Sequence, residues 1–336
     1  MSLSDPVTGF HYPDAWIEAC KDPGHLADVG AGLAVLTSSG TVLKRGYTTG
    51  TTAAAACKAA VCSLAGEVNM VEIEIPAGFR VCVQAEGREG TASARKYPGD
   101  YPGDVTAGLE FRAVARPLGE GVILIPGEGI GRYSRTTRRF SEGDPAISPP
   151  ALTCILFSIQ EGLEMSGFSG VEVRLSVPGG RKVAILTLNP RMGVEEGISI
   201  LGTTGLVEPW DDHLETSVME RVAAADCPVL TTGRLGLRYA RMLFPDREVI
   251  LVGSRIGNTL EVLKGPAILC GLPALVLRYF TPRLLEGTKY RTVEELTGDP
   301  LFVSRMEEAF SRARSLHPGL RIVLVDREGT ILGDSG

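Results

Sequence analysis

Two Gly/Thr segments carry the residues best suited to grip a charged small molecule. The first, GYTTGTTAAAACKAA (residues 46–60), sets Thr48, Thr49, Gly50, Thr51 and Thr52 before an alanine run. Alanine is the strongest helix former, so the segment reads as a loop feeding a buried helix over about residues 53–64. Glycine allows close backbone approach, and the first-turn N–H groups with the helix dipole behind them attract an anionic group. The same pattern also describes a capped helix whose small residues pack against a sheet, and the residues alone leave both readings open. The second segment, Gly202, Thr203, Thr204 and Gly205, repeats the theme far along the chain.

Three further stretches could bind ions. Tyr-Pro-Gly-Asp occurs twice, ending at Asp100 and Asp104. Pro-Gly sets a turn each time and aims the carboxylate outward, as a solvated turn residue or as a ligand. VILIPGEGIG (residues 122–131) reads as a buried strand running into Gly127, Gly129 and Gly131. It lacks the G-x-G-x-x-G spacing of a dinucleotide loop. It leads instead into Arg132, Arg135, Arg138 and Arg139. Guanidinium groups hold carboxylates in bidentate fashion, although a basic run also serves as plain solvated surface. The third stretch is a strand end, Thr231, Thr232 and Gly233, with Gly253 and Ser254 closing the next strand.

The elements that must position these residues follow from periodicity. VEIEIP (71–76) alternates with period two and reads as a strand with one wet face. A helix is predicted over about 151–165, and VEVRLSVP with RKVAILTLNP reads as a β-hairpin around Gly179 and Gly180. Beyond about residue 205, short apolar strands (CPVLTTG, REVILVGS) alternate with helical stretches, the pattern of a parallel doubly wound sheet. In such a sheet ligands sit beyond the carboxyl ends of the strands. The organisation predicted is an irregular N-terminal extension (1–40), an α+β domain (41–208) and an α/β domain (209–336), with the boundary near 206–212.

Composition narrows the function. The 336 residues are 44% hydrophobic and 22% charged, an ordinary globular balance. A net charge of −6 argues against nucleic acid as a partner. No apolar run reaches membrane-spanning length and the N-terminus lacks a signal pattern, which predicts a soluble cytoplasmic protein with no membrane partner. The seven cysteines include no C-x-x-C pair, and the four histidines, His213 among them, lie far apart. Neither a disulfide framework nor a protein-held metal is expected.

GYTTGTTAAAACKAA resembles the N-terminal signature of the CbiD family, the cobalt-precorrin-5B C-1-methyltransferases of anaerobic cobalamin synthesis. Three more blocks are similar and fall in the family's order: the Asp-rich segment from Lys96 to Thr106, ISILGTTGLVEP (198–209) and LTTG (230–233). Departures are local. Thr52 stands where family members usually have Cys, the Arg132–Arg139 run replaces a Val-Thr-Lys-Pro stretch, SPPAL (148–152) replaces an Asn-containing one, and residues 270–273 lack a Gly-His and Gly-Lys pattern. The resemblance implies methyl transfer from S-adenosylmethionine to a ring carbon of a cobalt-bearing tetrapyrrole, with cobalt carried in the substrate. It also implies an α+β domain followed by a Rossmann-like three-layer α/β/α domain. The ordinary Rossmann glycine loop and ribose-binding acid are missing, so the donor must use other loops. On this reading the two Gly/Thr loops grip the polycarboxylate ring or its methyl donor, Arg132, Arg135 and Arg191 pair with ring carboxylates, and Asp100 and Asp104 face the donor. Two alternatives from other classes are a small-molecule kinase with a Gly/Thr phosphate loop and a non-catalytic corrinoid carrier. A homo-oligomer is left open.

Overall fold

The structure, a computed structural model, describes residues 3–136, 140–209 and 218–336. It is a mixed α/β protein with several sheets, divided into two compact units, residues 44–211 and residues 1–43 with 212–336.

The central unit (44–211) is organised on helix α1 (Thr49–Cys62), buried along its whole length. A helix apolar all round must be covered on every side. Its small residues let a sheet approach on one flank and a second helix on another. That sheet has six strands: β1 (Val68–Glu74), β2 (Arg80–Arg88), β3 (Thr91–Arg95), β4 (Glu110–Leu118), β5 (Gly121–Pro126) and β6 (Gly170–Ser176). They lie in the order β1-β2-β3-β4-β6-β5, antiparallel throughout except for the parallel β6–β5 pair. Alternation is clean in β2, where Val81, Val83, Ala85 and Gly87 are buried and Arg80, Cys82, Gln84, Glu86 and Arg88 are exposed. Helix α2 (Pro149–Ser166) packs along α1. An added Cβ at Gly162 would come 3.1 Å from Val61 Cβ.

The one charge in α1 is Lys58, also buried. Its ammonium donates to the Glu72 carbonyl at 2.8 Å and to Glu161 Oε2 at 2.7 Å, tying α1 to β1 and α2. Burial alone would raise the Glu161 carboxyl, but hydrogen bonds from Lys58 and Arg80 hold it below the ordinary range.

The hairpin predicted at Gly179 and Gly180 does not form. Both edges of β6 are already taken by β4 and β5, so no edge is left for a returning strand. The chain instead turns through Gly179 at φ +80° into the short helix α3 (Gly180–Ala184), followed by α4 (Asn189–Met192). The G-x-G-x-G run enters small ladders: Gly129–Ile130 pairs with Gly197–Ile198, and Arg132–Tyr133 with Val194–Glu195.

In the other unit, strands β7 (Val229–Thr231), β8 (Val249–Leu251), β9 (Ala267–Gly271), β10 (Leu320–Val325) and β11 (Ile331–Asp334) form a sheet ordered β8-β7-β9-β10-β11. Only the β10–β11 pair is antiparallel. Every residue of β7 and β9 is buried, as parallel strands require. Leu230, Ile250, Leu269 and Ile322 share one core with Phe280 and Phe310. Helix α5 (Arg234–Leu243) follows β7. The first residues are no appendage to this unit. Ser38 donates through its hydroxyl to the Leu243 carbonyl at 2.7 Å, and the Phe10 and Tyr239 rings lie 5.8 Å apart.

Candidate functional site

The two Gly/Thr segments are bonded to each other. The helix begins at Thr49, earlier than propensity predicts, because Thr48 caps it: its side-chain oxygen accepts from the Thr51 N–H at 3.2 Å. The Thr48 N–H donates to the Gly205 carbonyl and the Gly50 N–H to the Leu201 carbonyl, both at 3.0 Å. The Thr51 hydroxyl donates to Gly205 at 2.7 Å, the Thr49 hydroxyl to Ser199 at 3.1 Å, and the Thr52 hydroxyl to its own turn at Thr48, 2.9 Å. Gly50 has no room for a side chain, since a Cβ there would stand 2.8 Å from the Ala151 Cβ and 3.1 Å from the Leu201 oxygen. Gly205 adopts φ +86° with Ile75 pressed against it, a conformation and a spacing that favour glycine. The Gly50, Thr51 and Thr52 amides, which the sequence offered to an anion, therefore face protein oxygens. The residues left toward solvent are Leu201 and Thr203, with Thr204 half-buried.

The two Tyr-Pro-Gly-Asp turns differ. Asp100 is exposed, and its Oδ2 accepts from the Lys44 N–H at 2.7 Å. The Asp104 side chain is buried, paired with Lys96 and bonded through Oδ1 to the Thr106 N–H at 2.9 Å. Burial lowers the Lys96 ammonium below the ordinary lysine range, with Asp104 opposing that shift. Asp104 is thus neither a solvated turn carboxylate nor exposed to a ligand: a lysine eight residues upstream folds back onto it.

The basic run is only partly available. Arg132 donates to the Gly143 carbonyl at 2.8 Å and lies 4.0 Å from Glu196. Arg135 is exposed beside α4, its Nε 3.2 Å from where a Cβ on Gly193 would be. Arg191, on α4, is exposed as well. Arg138, Arg139 and His213 lie outside the described residues.

A residue that the sequence analysis did not single out ties these parts together. Asn189 is buried, donates to the Gly197 carbonyl at 2.9 Å, and accepts from the Ser199 hydroxyl at 3.0 Å. Ser199 in turn supplies the carbonyl that Thr49 bonds. Asn-Pro at 189–190 is a turn signal, the one local cue that could have drawn attention to it. Through this chain of bonds, α4 is coupled to the start of α1.

In the other unit, Thr231 ends β7 fully buried, and its hydroxyl has no hydrogen-bond partner among the described residues. Thr232 and Gly233 follow, and the space at Gly233 is open. In the order β8-β7-β9 the chain leaves β7 for one side and then crosses to the other, which makes the β7–β9 boundary a topological switch point. Among the described residues, no helix is long and apolar enough to cross a membrane, and no group of three His, Cys, Asp or Glu is placed to hold a metal ion.

The sequence model of the CbiD family matches residues 20–209. The chain belongs to the CbiD family. It is 56% identical to the cobalt-precorrin-5B C(1)-methyltransferase of Methanoregula boonei over 99% of this chain and 100% of that one. It is 53% identical to the protein of the same name from Methanoculleus marisnigri, over 99% of both chains. A crystal structure of the CbiD cobalamin biosynthesis protein from Archaeoglobus fulgidus matches with a TM-score of 0.57 and 34% identity, covering 96% of this chain and 100% of that one. In this CbiD protein the two Gly/Thr segments meet in a buried joint.

Proposed function

We propose that this CbiD chain is a cobalt-precorrin-5B C(1)-methyltransferase of anaerobic cobalamin synthesis, acting in the cytoplasm with S-adenosylmethionine as donor. The observation that carries this reading is the 56% identity to the enzyme of that name from Methanoregula boonei, spanning all of that chain. Atoms balance simply in such a transfer. An electron pair on ring carbon C-1 forms the new bond to the methyl group, while the S–CH3 pair returns to sulfur and S-adenosylhomocysteine leaves. The ring is the nucleophile, so the protein supplies position and electrostatics. Cobalt belongs to the substrate.

The residues divide between the two tasks. The joint from Thr48 to Thr52 braces the loop that presents Thr203 and Thr204, with Arg132, Arg135 and Arg191 as carboxylate partners. The unpaired Thr231 hydroxyl, with Thr232 and Gly233 beside a switch point, supports a Rossmann-like donor site in the unit that contains residues 212–336. Asp100 keeps an exposed carboxylate within reach of a polar ligand, whereas Asp104 acts through Lys96 on the shape of the loop. The kinase alternative loses its basis, because the amides it needs for phosphate donate to Leu201 and Thr48.

Incubation of the full chain with cobalt-precorrin-5B and S-adenosylmethionine without oxygen, followed by mass spectrometry, is expected to add one methyl group to the ring. No gain by a folded protein would sink the reading. Calorimetry with S-adenosylhomocysteine identifies a mere ring carrier, which would show no binding.

A further inference from the structure

Four large apolar side chains stand exposed in the eight residues after α3. Ile185 is 72%, Leu186 69%, Leu188 42% and Met192 64% accessible. A cluster of this kind on a soluble unit marks a binding surface. The local backbone pairs two of them. The Met192 N–H donates to the Leu188 carbonyl at 3.1 Å, so these two share one face of α4. Leu186 follows directly on α3, where its N–H donates to the Val183 carbonyl at 2.9 Å. Leu201, also exposed, lies two residues beyond Ser199, which bonds Asn189 of the same helix.

The sequence of this segment is basic, with Glu195 and Glu196 next in line after it. Between Glu172 and Glu195 the sequence has no acid, but it has Arg174, Arg181, Lys182 and Arg191, in a chain whose net charge is −6. Arg181 sits one turn before Ile185, and Arg135 reaches Gly193 beside Met192. An apolar floor with guanidinium and ammonium groups at its rim complements a flat macrocycle edged with carboxylates. We infer that residues 185–192, with Leu201, form the floor on which the tetrapyrrole ring lies, its carboxylates meeting Arg135 and the cations of this segment. The inference rests on the methyltransferase reading and adds the surface that reading lacks.

Methionine oxidation tests it on the unaltered chain. Met192 has an internal control in Met165, which is 70% accessible on α2. The full chain is saturated anaerobically with cobalt-precorrin-5B and S-adenosylhomocysteine, then given a brief pulse of oxidant and analysed by peptide mass spectrometry. The ring is expected to slow oxidation of Met192 at least fivefold relative to Met165. An unchanged ratio overturns the inference. So does protection of Met192 that rises with protein concentration when no ring is present, since a second copy then covers the patch. A parallel assay with S-adenosylmethionine separates the two claims. Turnover with an unprotected Met192 defeats the floor and leaves the methyltransferase standing. A protected Met192 without turnover keeps the floor and defeats the enzyme reading.

Discussion

A buried ammonium is costly unless it is paired, and Lys96 is paired with Asp104. Asp104→Asn keeps the shape and removes the countercharge, which should cost about 3–5 kcal/mol in chemical denaturation. The pH dependence has a definite sign. A lysine whose folded pKa is lowered binds its proton less tightly in the folded than in the unfolded chain. Its destabilisation is present in full below the folded pKa and is relieved as pH rises toward the unfolded value. Asp104 opposes the lowering, so the variant should begin to regain stability at a lower pH than the parent. The measurement is the difference in unfolding free energy between the two proteins from pH 7 to the lysine range. A flat difference would show that Lys96 does not feel Asp104. Neither residue was legible as a pair from the turn motif, because Pro-Gly-Asp fixes the bend but not which side chain folds over it.

Among the elements, α1 depends most on remote partners. Gly50→Ala puts a methyl group against Ala151 and the Leu201 carbonyl, and overpacking of this kind costs about 1–3 kcal/mol. Thr48→Ala removes the cap and costs about 0.5–2 kcal/mol. Both losses should appear as lower denaturation midpoints. A Gly50→Ala protein as stable as the parent would mean that the joint has slack the geometry does not show. Elements with a plain period could be read from sequence: β1 alternates as VEIEI suggests, and the apolar strands β7 and β8 are buried apart from the half-buried Leu251. The start of α1 could not. Thr and Gly have poor helix propensity, and the oxygens that let Thr49 and Gly50 enter the helix come from residues 199–205. The missing hairpin has the same origin: a strand's edges are occupied by neighbours that local pattern does not name. The sequence offered a candidate site only as a set of residue types. The structure spent several of those types on the joint and moved the open surface to Leu201 and residues 185–192.

At the scale of the molecule, the proposed tasks fall on different units, ring recognition on residues 44–211 and donor recognition on the unit with residues 212–336. Thr231 makes the division testable. An unpaired buried hydroxyl costs about 1–3 kcal/mol, and valine has nearly the same shape without it. Thr231→Val should therefore match or exceed the parent in thermal stability. Were the hydroxyl only a leftover of folding, the substitution would do nothing else. If it is kept for the donor, S-adenosylhomocysteine affinity should fall about tenfold, the ~1.4 kcal/mol of one lost hydrogen bond. Protection of Met192 by the ring alone should not change, because the proposal gives Thr231 to the donor and not to the ring. Arg135→Ala should do the reverse, weakening the ring and sparing the donor, and the double variant should show both losses. Calorimetry on the four proteins measures both arms. Unaltered donor binding in a stable Thr231→Val protein would move the donor away from the end of β7.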